Sequence, residues 1–292
     1  MIYRLIEALS SQYTTKVLCK VLGVSRSSYY DYLSGRSWSL STDRAALEAD
    51  LEEVFHRHKS RYGSRRLTHE LNAMGHDVGR HQVRMIMKSL NLRAIQPKSF
   101  VPKTTRADSS RRRSPNLLLE LELPPQGTNQ IVVGDITFLP SDTGWLFMAV
   151  WMDLFSWRIV AWKVDDNMMA ELVIHPMRSL ITKRQPSEGM IVHTDGGTQY
   201  KSVEFRRLLK RHGFRQSMTR KDNHYDNAFC ESLFSRIKTE LMDEHLIFSS
   251  LPDARTKVFE YIEGYYNPTR RHSSLSYLSP MDFENQNTGK KW

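Results

Sequence analysis

Three apolar runs, IVVGDITF, WLFMAVWMD and RIVAWKV, follow one another from residue 131 to residue 164 with only short polar breaks at Pro140–Gly144 and Phe155–Trp157. Runs of this length, rich in β-branched and aromatic residues and bounded by turn formers, predict strands. Breaks this short predict an antiparallel meander. A hairpin about Ser141-Asp142 would set Asp135 opposite Met148. This stretch limits the fold more than any other, because a sheet of such apolar strands must be covered.

Downstream the pattern alternates. MMAELVIHPMRSLITK predicts a helix and MIVH a short buried strand. SVEFRRLLKRHG predicts a helix with Ser202 as N-cap and Gly213 just past its end, and FRQSM a fifth strand. HYDNAFCESLFSRIKTELM predicts a long helix, and a last helix carries Leu251, Val258, Ile262 and Tyr265. Strands first, then helices and strands in turn, predict an α/β class with a mixed sheet covered by helices.

The first ninety or so residues predict helices only. TTKVLCKVLGVSRSSYYDYL reads as helix, turn at Gly23-Val24-Ser25, and a second helix capped by Ser25. That is the outline of a helix-turn-helix, with Arg26, Ser27, Ser28 and Tyr30 where a recognition helix presents side chains. A plain helical hairpin has the same pattern. SRRLTHELNAMG and DVGRHQVRMIMKSL repeat the logic, with Leu67, Leu71, Met74, Val83, Ile86, Met87 and Leu90 inward. Arg80, His81 and Arg84 are left outward, either for DNA or as a solvated basic face. Leu47, Leu51 and Val54 make one short amphipathic helix and no sustained heptads.

From Arg93 to Pro115 there are seven basic residues, Arg111, Arg112 and Arg113 among them, against the single acid Asp108. Pro97, Pro102 and Pro115 break any helix. Such a run is ordinarily solvated coil, but beside a DNA-reading module it can track phosphates. The whole chain of 292 residues carries a formal net charge of +10, which favours a polyanionic partner. Two cysteines, Cys19 and Cys230, make no disulfide framework or zinc pair, which fits a reducing cytoplasm. No stretch approaches the length of a membrane span.

Chemistry is suggested by three carboxylates. Asp135 sits among apolar strand residues, an expensive place for a charge without a positive partner. Asp195 follows a short strand in HTDGGTQYKS, where two glycines let a ligand approach the backbone. Glu231 lies beyond it with 35 residues between, on a helix whose stripe also holds Asn227, Ser235 and Lys238. Phe229, Cys230, Leu233, Phe234, Ile237 and Leu241 form the apolar side. Three acids suit two Mg²⁺ ions about 4 Å apart in in-line phosphoryl transfer. Taken one at a time, each acid is better read as a turn former, a cap or a solvated helix residue. Asp142 and Asp153 fall too far from Asp135 on this hairpin and read as structural, and Asp222 and Asp226 as caps.

The spacing Asp135…Asp195-(35 residues)-Glu231 is similar to the D, D-35-E signature of retroviral integrases and bacterial insertion-sequence transposases. GDITFLP, HTDGGTQYKS, SMTRKDNHYDNAFCESLFSRIKTE and YYNPTRRHSSLSYLSP resemble the OrfB product of the third insertion-sequence family over nearly the whole chain. The resemblance implies an RNase H-like mixed five-stranded sheet flanked by helices, preceded by an all-α helix-turn-helix region. With the residue patterns above it divides the chain into a helix-turn-helix over 1–40, a second helix-turn-helix-like helical unit over 41–92, a basic linker over 93–127, a catalytic core with a C-terminal helix over 128–285 and a tail over 286–292. It implies Asp135, Asp195 and Glu231 as ligands of two Mg²⁺ ions, with Mn²⁺ able to substitute, and Lys238 as a DNA contact. Arg270 and Arg271 fall in a family motif and are taken with Arg26, Arg80, Arg84 and Arg111–Arg113 as DNA-binding candidates.

The activity so implied is cleavage at an element end by water, then attack of the freed 3′-OH near the other end, giving a circle that later integrates. No covalent protein intermediate is formed. The implied partners are double-stranded DNA, both element ends and target, a homo-oligomer of at least two copies, and an upstream-frame OrfA protein or fusion. The implied location is the bacterial cytoplasm, on the nucleoid. A catalytically idle regulator of the element, or an RNase H-like nuclease that does not join strands, would share much of this sequence. Where many relatives have a basic or polar residue after the second aspartate, this chain has Gly196.

Overall fold

The computed structural model describes residues 2–34, 42–96, 113–220, 228–241 and 247–287. The chain divides into two compact units, Met1–Ala94 and Ile95–Trp292.

The first unit is helical. Helices α1 (Ile2–Leu9), α2 (Thr15–Val21) and α3 (Arg26–Leu33) pack around Ile6, Leu18, Cys19 and Tyr29. Gly23 takes a φ of +67°, which turns the chain between α2 and α3. Ser25 caps α3 by accepting from the Ser28 N–H at 3.0 Å. Helices α4 (Thr42–Arg57), α5 (Ser64–Ala73) and α6 (Arg80–Ser89) follow, burying Leu47, Leu51, Val54, Leu67, Leu71, Val83, Ile86 and Met87. Met74, expected inward, is the C-cap residue of α5 and lies 43% exposed.

The second unit is built on a mixed sheet of five strands, β1 (Ile131–Ser141), β2 (Gly144–Asp153), β3 (Ile159–Asp165), β4 (Ile191–Thr194) and β5 (Arg215–Met218). The order is β3-β2-β1-β4-β5, with the β1–β2–β3 meander antiparallel and β4 and β5 parallel to β1. The β1–β2 loop is Asp142-Thr143, with Ser141 paired to Gly144, so Asp135 faces Val150 and not Met148. A loop one residue further along shifts every pairing by two, which keeps each side chain on its predicted face.

Helices α7 (Glu171–Arg184) and α8 (Val203–Arg211) cover one face of the sheet through Leu172, Val173, Met177, Phe205 and Leu209. Ser202 caps α8 as expected, accepting from the Phe205 N–H at 3.2 Å. Helices α9 (Ala228–Leu241) and α10 (Leu251–Tyr261) cover the other face, with a π-helical turn over Ile262–Tyr266 extending α10. Helix α11 (Pro280–Asn287) follows. Among the described residues no helix is long and apolar enough to cross a membrane.

Residues 113–118, which proline and charge content assign to a linker, lie against the sheet. Leu117 packs on Ile131 and Ile191, and its N–H donates to Ser217 Oγ at 2.9 Å.

Candidate active site

Strand β1 pairs with β4 through Gly134 opposite Thr194. Asp135 and Asp195 are the next residue on each, so the two acids leave neighbouring parallel strands at one level. Neighbouring strands stand about 4.8 Å apart. Gly134 is needed for this: a Cβ there would lie 2.2 Å from Cζ3 of Trp151, whose buried indole occupies the space.

Both acids are half-buried. The Asp135 carboxylate accepts from the Ile136 N–H at 2.8 Å, and Asp195 Oδ1 from the Gly197 N–H at 2.9 Å. Burial pushes the Asp195 carboxyl above its ordinary value, against the opposing pull of the Gly197 N–H and the charges of Arg113 and Lys201. Neither Lys201, 3% exposed, nor Arg113 was read from the sequence as belonging to this acid. Lys201 lies six residues beyond Asp195 in the same glycine-containing word, so a local signal for it existed.

Val133 and Leu139, which share the Asp135 side of β1 by alternation, pack against Cys230, Leu233, Phe234 and Ile237 of α9. Those four are buried as the helical stripe predicts, and Phe229 is the exposed exception at 37%. Glu231 is exposed in the first turn of α9. The Cys230 thiol is raised far above its usual value by burial and then by the charges of Asp135, Asp195 and Glu231, so all three acids bear on one sulfur. Burial likewise lifts the Tyr200 hydroxyl, with Asp135 and Asp195 adding to it, and the hydroxyl oxygen is buried without a hydrogen-bond partner. Lys238 is pushed down by burial, while Asp135 pulls it back up.

Asp135 and Asp195 each offer carboxylate oxygens. His193, two residues before Asp195, is buried and turned to Ser217 Oγ at 2.8 Å. Two adjacent carboxylates fit a hard divalent ion such as Mg²⁺, which takes one or two of them and completes its shell with water and substrate phosphate. Among the described residues no three acids, histidines or cysteines stand close enough to hold an ion by themselves.

The remaining candidates are scattered. Arg26, Arg80 and Arg84 are exposed, Arg26 opening α3 and the other two on α6. Arg271 is half-buried and donates to the Tyr277 carbonyl at 3.0 Å. Arg270 is a correction: it is wholly buried and bonded to Glu240, so its guanidinium cannot reach DNA. Arg111, Arg112, Asp222, Asp226 and Asn227 lie outside the described residues. Asp153 is structural, accepting from the Asn129, Phe155 and Ser156 N–H groups.

Residues 125–224 match an "Integrase core domain" family model, residues 212–280 a second model of that description, and residues 42–100 an "HTH-like domain". The transposase InsF of insertion sequence IS3A from Escherichia coli K12 is 38% identical over 291 residues, covering 98% of this chain and 99% of its own. The transposase of insertion sequence element IS904 from Lactococcus lactis is 37% identical over 247 residues, covering 84% of this chain and 96% of its own. Among solved structures, a chain of the simian T-cell lymphotropic virus intasome in complex with PP2A regulatory subunit B56 gamma aligns with a TM-score of 0.46 at 16% identity, covering 81% of this chain and 74% of that one. The HTLV-2 integrase catalytic core, in complex with magnesium, aligns with a TM-score of 0.41 at 17% identity, covering 54% and 97%. By its sequence likeness over nearly its whole length, this chain belongs to the IS3-family insertion-sequence transposases and carries an integrase core domain.

Proposed function

We propose that this chain itself cuts and joins the DNA ends of its insertion sequence, using Asp135, Asp195 and Glu231 to hold two Mg²⁺ ions, for which Mn²⁺ can substitute. The observation that supports this most is the exit of Asp135 and Asp195 side by side from paired strands, under the helix that carries Glu231. Divalent ions bound there supply Lewis acidity at the phosphate and lower the pKa of an attacking water. The protein's own part is to fix the carboxylates and hold the DNA. The Asp195 carboxylate is oriented by the Gly197 N–H, and Glu231, on an exposed helical turn, is free to approach the other two acids.

In the first step a water oxygen bonds to phosphorus and the element's 3′ oxygen departs as a hydroxyl. In the second that hydroxyl attacks a phosphodiester near the other end. Each step makes one P–O bond as it breaks another, so no covalent protein intermediate is needed. Lys238 meets a phosphate beside the acids. Arg26, Arg80, Arg84 and Arg271 contact the duplex, and Arg111 and Arg112 add phosphate contacts. Two ends must be held together, so the working form has at least two copies, with or without an upstream-frame partner.

The test uses full-length protein, Mg²⁺ and a labelled duplex bearing the terminal repeat, with wild type and Glu231→Gln run side by side on a denaturing gel. Cleaved and joined products from wild type alone are expected. Equal products from both would remove Glu231 from the site, and binding without products would favour the idle regulator.

A further inference from the structure

Gly196 has no backbone reason to be glycine. Among the described residues the glycines with positive φ are Gly23, Gly75, Gly144, Gly189 and Gly213, and Gly196 is not one of them. Space is the reason. A Cβ at 196 would stand 2.3 Å from Arg113 Nη2, 2.5 Å from its Cζ and 2.8 Å from its Nε. The Arg113 guanidinium therefore lies directly on the Gly196 backbone.

One hydrogen bond holds it there. Its Nη2 donates to Thr219 Oγ1 at 3.3 Å, and the Thr219 N–H donates to the Thr194 carbonyl at 2.9 Å, so Arg113 joins the ends of β4 and β5. The backbone after it is docked as well: Ser114 Oγ donates to Gln216 Oε1 at 2.9 Å, and the Met218 N–H to the Pro115 carbonyl at 3.1 Å. The Arg113 Nε is buried without a hydrogen-bond partner, a desolvation cost that a freely mobile surface arginine would avoid by turning to water. Its charge also bears on the neighbouring Asp195.

We propose that Arg113 is a positioning residue for Asp195, a guanidinium wedge that braces the Gly196 peptide from outside while the Gly197 N–H holds the carboxylate from within. The inference rests on the reading of Asp195 as an ion ligand. A carboxylate fixed on both sides meets an ion already oriented; one freed of its brace must be ordered by the ion. Glycine at 196 is then the space the wedge requires, and the basic segment ending at Arg113 is tied to the catalytic loop by its last arginine.

The experiment is a titration of the full-length protein with Mn²⁺, without DNA, following the free ion by electron paramagnetic resonance, alongside melting temperatures in EDTA. The variants are Arg113→Ala, Arg113→Lys, Gly196→Ala and the double Arg113→Ala/Gly196→Ala. Loss of an outer partner costs metal affinity roughly 10- to 100-fold, and Arg113→Ala is expected in that range. Gly196→Ala should reproduce it, because the added methyl meets only the flexible end of Arg113 and displaces it without unfolding the loop. The double variant should be no weaker than either single. Arg113→Lys should stay weak, since an ammonium cannot lie flat on the peptide and reach Thr219.

Unchanged Mn²⁺ affinity in Arg113→Ala, with or without a lower melting temperature, would overturn the proposal. So would effects that multiply in the double variant, or full rescue by lysine, which would leave charge alone as the cause. No Mn²⁺ bound by wild type would overturn the ion site itself, and this inference with it.

Discussion

Arg270 and Glu240 form a buried ion pair, the guanidinium Nε standing 2.8 Å from Oε2 with Arg270 wholly out of solvent. The Tyr261 hydroxyl donates to the same carboxylate at 2.9 Å. Burial alone would push the guanidinium down, but the bonds and charge of Glu240 hold it above its ordinary range. Glu240 lies on α9, the helix that carries Glu231, so the pair ties that helix to the segment after the π-helical turn.

Arg270→Ala leaves the Glu240 carboxylate buried without its guanidinium, and removing one partner of such a pair costs about 3–5 kcal/mol. Denaturant unfolding of the full chain should show a midpoint lowered accordingly. DNA affinity per folded molecule should be unchanged. An arginine whose loss weakened DNA binding while leaving stability intact would contradict its burial.

Gly134→Ala should be costly and Gly264→Ala should not. The methyl at 134 would run into Trp151, whose ring stacks on Phe205 at 5.8 Å and whose Nε1 donates to the Val173 carbonyl at 3.2 Å, so it has nowhere to move. Overpacking of this kind costs about 1–3 kcal/mol, and because Asp135 is the next residue, strand transfer should fall further than stability does. At Gly264 nothing lies within 4 Å of an added Cβ. Thermal melts of the two variants check the contrast, and equal melting temperatures would refute it.

Stability should carry an acid-dependent component from Glu284. Burial pushes its carboxyl up, but hydrogen bonds from Arg184 at 2.8 Å and Arg158 at 2.7 Å, with Ser156, outweigh that and leave it below its ordinary value. A depressed folded-state pKa contributes stability that is complete above the unfolded value, near 4.3 for glutamate, and is lost as pH falls through the lower folded value. Wild type should therefore exceed Glu284→Gln in stability at pH 7, with the gap closing as pH falls below about 4.3. Asp153, raised by burial and in part by the charge of Glu284 itself, works in the opposite sense, and Glu284→Gln removes that last part, which offsets some of the gap. A gap independent of pH would show that the ion pairs contribute nothing.

Binding and chemistry should separate by residue. Asp135→Asn and Asp195→Asn are expected to abolish end cleavage while leaving affinity for the terminal repeat intact. Arg80→Ala, Arg84→Ala and Lys238→Ala should each weaken binding and reduce the slope of log affinity against log salt by about 0.9 for each phosphate no longer neutralised. Filter or gel-shift binding at several salt concentrations measures both. A salt slope unmoved by Arg80→Ala and Arg84→Ala would take α6 out of the interface.

Features set by neighbours in sequence were legible in the chain alone. The meander, the turn at Gly23, the caps at Ser25 and Ser202 and the buried stripe of α9 follow from residue period and from side chains that bond within a turn of themselves. The same is true of the three acids as candidates, since their residue types and spacing are properties of the sequence. Only the tertiary structure decided that Asp135 and Asp195 stand side by side, because parallel pairing of β1 with β4 joins segments more than fifty residues apart, and no local pattern sets that register. It alone turned Arg270 away from its expected role, drawing it inside to Glu240. A guanidinium reads the same in any sequence; whether it meets water, phosphate or a buried carboxylate depends on which distant groups the fold has left without a partner.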